Sequence, residues 1–320
     1  MGISGHGGLW HGMAFGPGAG PDLPKRCKTC SGWARVRRLH GGPHVETGEV
    51  VQETARWLVA LAAAGVAAEG CRRRRLVTGG GAVAAAALGG AILRFGGLAL
   101  AVPLALDFVL TGLLSRLPEA AGGSSAMRGA RRVVANGAPL ALLAAAVPLA
   151  PGLATPAFLG ALAAVAGDTW ATEIGRRVGG APRSLRSGAR VPPGTPGAVT
   201  GVGIAATALA GAVTALAYLA VRAGADVRGG AGPGPAATVV VAACLAGGVG
   251  GALADGVLGA TCQAIYRDAQ GRPTDRPTDP AGRPRPHLRG WRWLDNDLVN
   301  LGGALAGGTC GAAVAAWLRT

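Results

Sequence analysis

Residues 156–173 read PAFLGALAAVAGDTWATE, Pro156 to Glu173. This stretch decides the fold class. Twelve residues without a charge or an amide are followed by Asp168 and Glu173, with Thr169 and Thr172 between them. There is no alternation of polar and apolar faces, as a soluble amphipathic helix would require. An apolar run of this kind is read as a helix inside a bilayer. A carboxylate at its end is expensive: about 2.5 kcal/mol or several times more at the bilayer centre, depending on the scale. An ionisable group kept there marks a functional site, and Asp168 is the first residue to test.

The rest of the chain follows the same pattern. Of 320 residues, 50% are hydrophobic and only 4% aromatic, and mean hydropathy is positive. The apolar residues fall in Ala/Leu/Val/Gly blocks, each about long enough for a hydrocarbon core of roughly 30 Å. The blocks cover 57–68, 76–93, 98–114, 133–150, 156–171, 199–221, 236–265 and 298–318. The first is short and the seventh long, so the expected fold is an all-α polytopic transmembrane helix bundle of about six to eight spans. A soluble Ala/Gly-rich protein is excluded by the lack of polar faces.

Lys and Arg exceed Asp and Glu by 31 to 16, a net charge of +15. Most of the excess lies between blocks: at Arg72–Arg75; at Arg116, Arg128, Arg131 and Arg132; at Arg176, Arg177, Arg183, Arg186 and Arg190; and from Arg267 to Arg292. With eight spans these are alternate loops, and the positive-inside rule puts all four on one face. The charge is therefore topogenic and lipid-facing, and the expected partner is the lipid bilayer, with no nucleic acid. The third cluster directly follows Asp168 and Glu173, which makes phosphate binding an equal reading for it.

Residues 1–48 differ in kind. Up to His44 the only acid is Asp22, against Lys25, Arg26, Lys28, Arg35, Arg37 and Arg38, and no apolar signal core is present. A basic, acid-poor, Gly-rich stretch reads as a disordered transit-like leader ahead of a membrane domain spanning 49–320. Cys27-Lys28-Thr29-Cys30 lies within it, with no second pair to complete a metal site. Cys71, Cys244, Cys262 and Cys310 show no recurrent spacing and read as small apolar residues of the spans.

On a helix, Asp168 and Thr172 share a face, as do Thr169 and Glu173. These two faces offer carboxylate and hydroxyl oxygens suited to Mg²⁺, which takes one or two carboxylates and completes its shell with water and phosphate oxygens. Asp168 and Glu173, with Asp255 as a further intramembrane acid, are the expected metal and catalytic residues, a helix-packing hydrogen bond being the alternative for Asp255. Asp255 sits four residues before Gly259 in an apolar run, a spacing that also permits close helix packing.

Downstream, Arg190-Val191-Pro192-Pro193-Gly194-Thr195-Pro196-Gly197-Ala198-Val199-Thr200 is a rigid turn entering a span. Backbone N–H groups at such a helix start cradle phosphate, with Thr195 and Thr200 adding hydroxyls; a plain re-entry turn is the alternative. It is not a Walker motif, since no Gly-Lys-Ser/Thr follows. Before the last span, Trp291 and Trp293 are interfacial anchors. Asp295, Asn296, Asp297 and Asn300 offer acceptors on the basic face, and a helix N-cap accounts for only one of them.

Gly167-Asp168-Thr169-Trp170-Ala171-Thr172-Glu173-Ile174-Gly175, then Val191 to Thr200, then Asp255-Gly256-Val257-Leu258-Gly259-Ala260, then Trp293-Leu294-Asp295-Asn296-Asp297-Leu298-Val299-Asn300 occur in an order and spacing that resemble one membrane-protein family. It is the family of the plant phytyl-phosphate kinase and transmembrane protein nineteen. The resemblance runs from about residue 76 to the C-terminus and includes a weaker stretch from Arg128 to Gly137. Thr172 stands where the family usually has Ser, and the Arg183–Arg190 stretch replaces a more hydroxyl-rich loop.

The resemblance implies transfer of a phosphoryl group to phytyl phosphate, giving phytyl diphosphate for tocopherol and phylloquinone synthesis in a chloroplast membrane, the envelope rather than the thylakoid. The Asp168 motif and the Gly-Thr turn are also distantly similar to the CTP-dependent polyprenol and phytol kinases. CTP is therefore the favoured nucleoside triphosphate, with ATP or UTP as alternatives. On this reading Arg176, Arg177, Arg190, Gly194, Thr195, Gly197, Thr200, Asp295, Asn296 and Asn300 bind the nucleotide and phosphates, and Asp168, Glu173 and Asp255 hold Mg²⁺. An isoprenoid tail would lie in an Ala/Gly-lined groove. Two other classes remain: a transporter or lipid-binding protein without catalysis, and a cytidylyltransferase acting on a lipid phosphate. An inverted repeat would favour the transporter, and the motif-bearing halves do not match each other. The sequence leaves the oligomeric state open.

Overall fold

The computed structural model describes residues 47–116, 127–228 and 234–319; the leader and Cys27-Cys30 expectations lie outside them. Among the described residues there are seven helices: α1 (Thr47–Arg73), α2 (Gly79–Leu114), α3 (Ala130–Ala146), α4 (Pro151–Val178), α5 (Gly201–Val227), α6 (Ala237–Thr261) and α7 (Asn296–Trp317). Residues from Val51 onward form one compact unit. Five of the helices, α1, α2, α5, α6 and α7, are long and apolar enough to cross a membrane. The all-α membrane bundle read from sequence is thus the fold.

Every expected span is helical, but the boundaries differ. Blocks 76–93 and 98–114 join in α2, whose 36 residues are interrupted at Gly97 (φ 60°, ψ −163°), a conformation essentially restricted to glycine. The break makes a hairpin. Phe108 on the second arm packs against the cluster of Ala68, Val77 and Ala82, at and just before the start of the first, and a Cβ on Gly112 would press into the Leu76 side chain. Block 236–265 runs past its helix: α6 ends at Thr261, and Ile265 begins a strand.

Helix α4 is the centre, packing against α5, α6 and α7. It is buried without interruption from Ala154 to Ala164. Its contact with α6 and α7 is built of small residues: a Cβ on Gly160 would overlap the Gly307 carbonyl, and one on Gly247 the Gly160 backbone. In lipid, moving apolar side chains between helices gains little, so such backbone-to-backbone packing carries the association. Next to this seam, Phe158, Leu159 and Leu162 meet Ile92, Leu100, Leu140 and Val240 in the largest core cluster.

Loops at one end of the bundle carry the short strands. β1 (Arg183–Ser184) pairs with β2 (Ala198–Val199), while β3 (Ile265–Arg267), β4 (Pro273–Thr274) and β5 (His287–Arg289) form a sheet in the order β4-β3-β5. The described parts of the four basic clusters meet here. Leu76 accepts from the Arg128 N–H at 3.1 Å, Arg131 pairs with Asp295 at 2.5 Å, and Arg289 donates to the Ala260 carbonyl at 2.8 Å.

Candidate functional site

At this basic end lies a cavity of about 500 Å³. Its floor is the end of α4, where Asp168, Thr169, Thr172, Glu173 and Arg176 all line it. Asp255 of α6 and Asn296 of α7 face it from the side, and Arg75, Arg128 and Arg132 from the loops before α2 and around the start of α3. Pro273, Thr274, Asp275 and Arg276, around β4, complete the lining. The two faces of α4 read from the spacing of Asp168 with Thr172 and of Thr169 with Glu173 therefore open onto the same space.

One wall is the turn before α5. Pro192-Pro193-Gly194-Thr195 and Thr195-Pro196-Gly197-Ala198 are consecutive turns, closed by Thr195 N–H to the Pro192 carbonyl (3.2 Å) and Ala198 N–H to the Thr195 carbonyl (3.1 Å). Each has proline at its second position and glycine at its third, with φ 83° at Gly194 and 74° at Gly197. This is the type II pattern. The N–H groups of Gly194 and Gly197 take no part in their own turn's bond. Gly197 is doubly constrained, since a Cβ there would overlap the Ala260 backbone. Thr200 then caps α5 by accepting from the Gly203 N–H at 2.9 Å, and the Thr195 hydroxyl donates to the Pro192 carbonyl at 2.7 Å. Gly194, Thr195, Gly197 and Thr200 all line the cavity.

Beneath the cavity, Asp168 and Asp255 also line a second, much smaller chamber, about 10 Å³, together with Asn136 of α3 and Asn300 of α7. Asn300 is 8% exposed. With its amide oriented to satisfy its neighbours, it donates to Asp255 Oδ2 (3.1 Å) and to the Asn296 carbonyl (3.2 Å). The charges acting most strongly on Asp168 are Arg132 and Arg176. Arg128 stacks over the Phe108 ring at 5.1 Å, and burial lowers its pKa below that of a free guanidinium.

Not every expected site residue joins this arrangement. Glu173 lines the cavity, but its Oε2 is held by Arg177 at 3.0 Å. Arg177 also donates to the Leu114 carbonyl at 3.2 Å, tying α4 to the end of α2, and it is not among the lining residues. Arg190 lies on the exposed loop facing Arg183, away from the cavity lining. Asp295 caps α7 by accepting from the Leu298 N–H at 3.2 Å and pairs with Arg131. Asn300 belongs to the inner chamber instead of the nucleotide wall.

The sequence reading missed Arg75, Arg132, Asn136, Gln263 and the Thr274–Arg276 edge. Arg75 adopts a left-handed conformation (φ 56°) unusual for a residue with a side chain. Arg132 and Asn136 are four apart on α3 and share one face of it. Gln263 is 2% exposed.

Among the described residues no group of three or more His, Cys, Asp or Glu side chains forms a metal cluster. The donors present nevertheless fit Mg²⁺, which needs only one or two carboxylates when phosphate oxygens and water fill its shell. Asp168 and Asp255 would hold it.

The chain matches the family described as integral membrane protein DUF92 over residues 60–308. Neither a curated protein nor a solved structure matches it.

Proposed function

The chain belongs to the integral membrane protein family DUF92; from the lining of its cavity we propose that it binds the head group of a membrane isoprenoid phosphate beside a nucleoside triphosphate and transfers a phosphoryl group between them. The observation that carries this reading is the union in one cavity of two bundle carboxylates, Asp168 and Asp255, with Arg132, Arg176 and the double turn at Gly194–Gly197. Phosphoryl transfer asks a protein for positioning and neutralisation of charge more than for covalent chemistry, and these residues supply both.

Arg132 and Arg176 neutralise phosphate oxygens, the guanidinium fork being suited to bidentate contact. The Gly194 and Gly197 N–H groups and the Thr195 and Thr200 hydroxyls face the triphosphate. Mg²⁺ bound at Asp168 and Asp255 would offset the charge developing on the transferred group. A general base is not required, since the acceptor is already a phosphate anion. The cavity opens at the basic end, so the isoprenoid tail extends along the small-residue helix surfaces while the head group stays at the arginines. Phytyl phosphate is the proposed acceptor and CTP the favoured donor. A chloroplast membrane, the envelope first, is the proposed compartment, supported by the acid-poor composition of residues 1–44.

The test is direct. Membranes containing the chain are incubated with phytyl phosphate, Mg²⁺ and each labelled nucleotide in turn. Phytyl diphosphate carrying the terminal phosphate supports the kinase. A cytidylylated lipid would reassign the cavity to nucleotidyl transfer, and the absence of any lipid product with every nucleotide would refute catalysis.

A further inference from the structure

The inner chamber is placed where nothing in the kinase reading requires a second space. It is closed by α3, α4, α6 and α7, and the residues around it other than the four polar ones are small or apolar, including Ala164, Gly251, Gly303 and Ala304. Its volume, about 10 Å³, is at the threshold for a single water-sized occupant. The polar groups that reach it are unbalanced. Asp168 and Asp255 bring two carboxylates, and Asn136 Oδ1 is fully buried and without a hydrogen-bond partner among the described residues. Against these acceptors the chamber's lining sets the Asn300 amide, whose N–H groups are taken by Asp255 Oδ2 and the Asn296 carbonyl; Arg132 and Arg176 act on Asp168 from outside that lining. An orphaned buried carbonyl oxygen costs about 1–3 kcal/mol. Acceptors in excess around an ion-sized space are matched by a cation and not by an anion or a second acceptor.

We propose that this chamber is a divalent-cation site in which Asn136 Oδ1 is a neutral ligand beside Asp168 and Asp255, while Asn300 is a positioning residue that fixes the Asp255 carboxylate. The inference rests on the kinase reading only in supplying the cation to that cavity, and it changes the ligand set: Asn136 takes the place expected for Glu173, which is engaged by Arg177. All the donors are hard oxygens, as Mg²⁺ and Mn²⁺ prefer, and the pair of carboxylates balances a doubly charged ion. Asn300 relates to Asp255 as an outer partner to a ligand: its amide fixes which carboxylate oxygen faces the chamber.

The experiment uses the full chain purified in detergent, with Mn²⁺ alone as the probe and electron paramagnetic resonance as the readout. No nucleotide is added. Wild type is expected to bind one Mn²⁺ displaceable by Mg²⁺. Asn136→Ala is expected to weaken binding at least about tenfold, Asn136→Asp to retain it, and Asn300→Ala to weaken it by roughly 10–100-fold. Glu173→Gln leaves it unchanged. Absence of bound Mn²⁺ in wild type, or equal binding by folded Asn136→Ala, overturns the proposal. Monodisperse elution during size exclusion establishes that each variant is folded. Mn²⁺ binding that depends on Asn136 in a protein without kinase activity would sustain the cation site and sink the kinase reading. Kinase activity with Mn²⁺ binding indifferent to Asn136 would do the reverse.

Discussion

The bundle holds buried carboxylates in two quite different settings. Asp107, on the second arm of α2, is 2% exposed. Its Oδ2 accepts from the Thr214 hydroxyl at 2.7 Å, and it lines neither the large cavity nor the inner chamber. Asp168 and Asp255 line both, and Arg132 is the arginine nearest in effect to each. All three acids interrupt apolar runs, so burial in a membrane helix does not by itself separate a site from a packing bond. The separating features are a space to act on, cations facing that space and a second carboxylate beside the first. Asp107 joins two helices; Asp168 and Asp255 face the cavity for which ligand binding is proposed.

Substitutions sharpen this contrast in descending order of effect. Asp255→Asn should lower the rate of phosphoryl transfer by about 10²–10³, as removal of an electrostatic element in an active site typically does, with protein abundance in the membrane maintained. A rate unchanged by this variant would put Asp255 in the same class as Asp107. Arg176→Gln and Arg177→Gln are the next pair. Removing the Arg176 charge should raise the KM for nucleotide by roughly one to two orders of magnitude if it contacts phosphate through charge-assisted hydrogen bonds worth about 1.5–3 kcal/mol. Arg177→Gln should instead cost about 1–3 kcal/mol of stability, by releasing Glu173 and the Leu114 carbonyl, with specific activity retained. Thermal unfolding and steady-state kinetics on the two proteins distinguish these outcomes, and exchanged phenotypes would mean that the arginine roles are reversed.

Gly197→Ala perturbs the turn that forms one wall of the cavity. It should lower stability by about 1–3 kcal/mol through its positive φ, and the overlap with Ala260 adds to that; a melting temperature equal to wild type would show that the turn is not seated on α6. Asp107→Asn should have the smallest effect, about 0.5–1.5 kcal/mol at most, because the amide retains an acceptor for Thr214. Loss of activity in that variant without loss of folded protein would erase the distinction between the two settings.

The helical bundle was legible because most of its helices are apolar over about a bilayer's thickness, and composition reports that directly. The α2 hairpin was legible as two spans, although Gly97 as the hinge was not, since Gly96-Gly97 in a Gly-rich chain carries no signal of its own. The cavity was partly legible. Asp168, Asp255 and the Gly194–Gly197 turn stood out as polar or rigid groups set against apolar surroundings. The pairing of Arg177 with Glu173 was not legible, because an i,i+4 pair on one helix satisfies itself, a partnership that competes with ligand binding and becomes plain only with coordinates. Asn136 was passed over because an amide in an apolar helix has little charge to draw notice, and its meaning comes from the three other helices around it.

The most direct test of the account is the transfer of labelled terminal phosphate from nucleotide to phytyl phosphate by purified wild type and Asp168→Asn, normalised to folded protein. Asn keeps the size and hydrogen bonding of the side chain and removes only its charge. The account predicts product from wild type, a loss of about 10²–10³ in rate for the variant and equal folded yield. Wild-type specific activity in Asp168→Asn, with a lowered yield of folded protein, would show that Asp168 pairs with arginine for structure and would contradict the account at its centre.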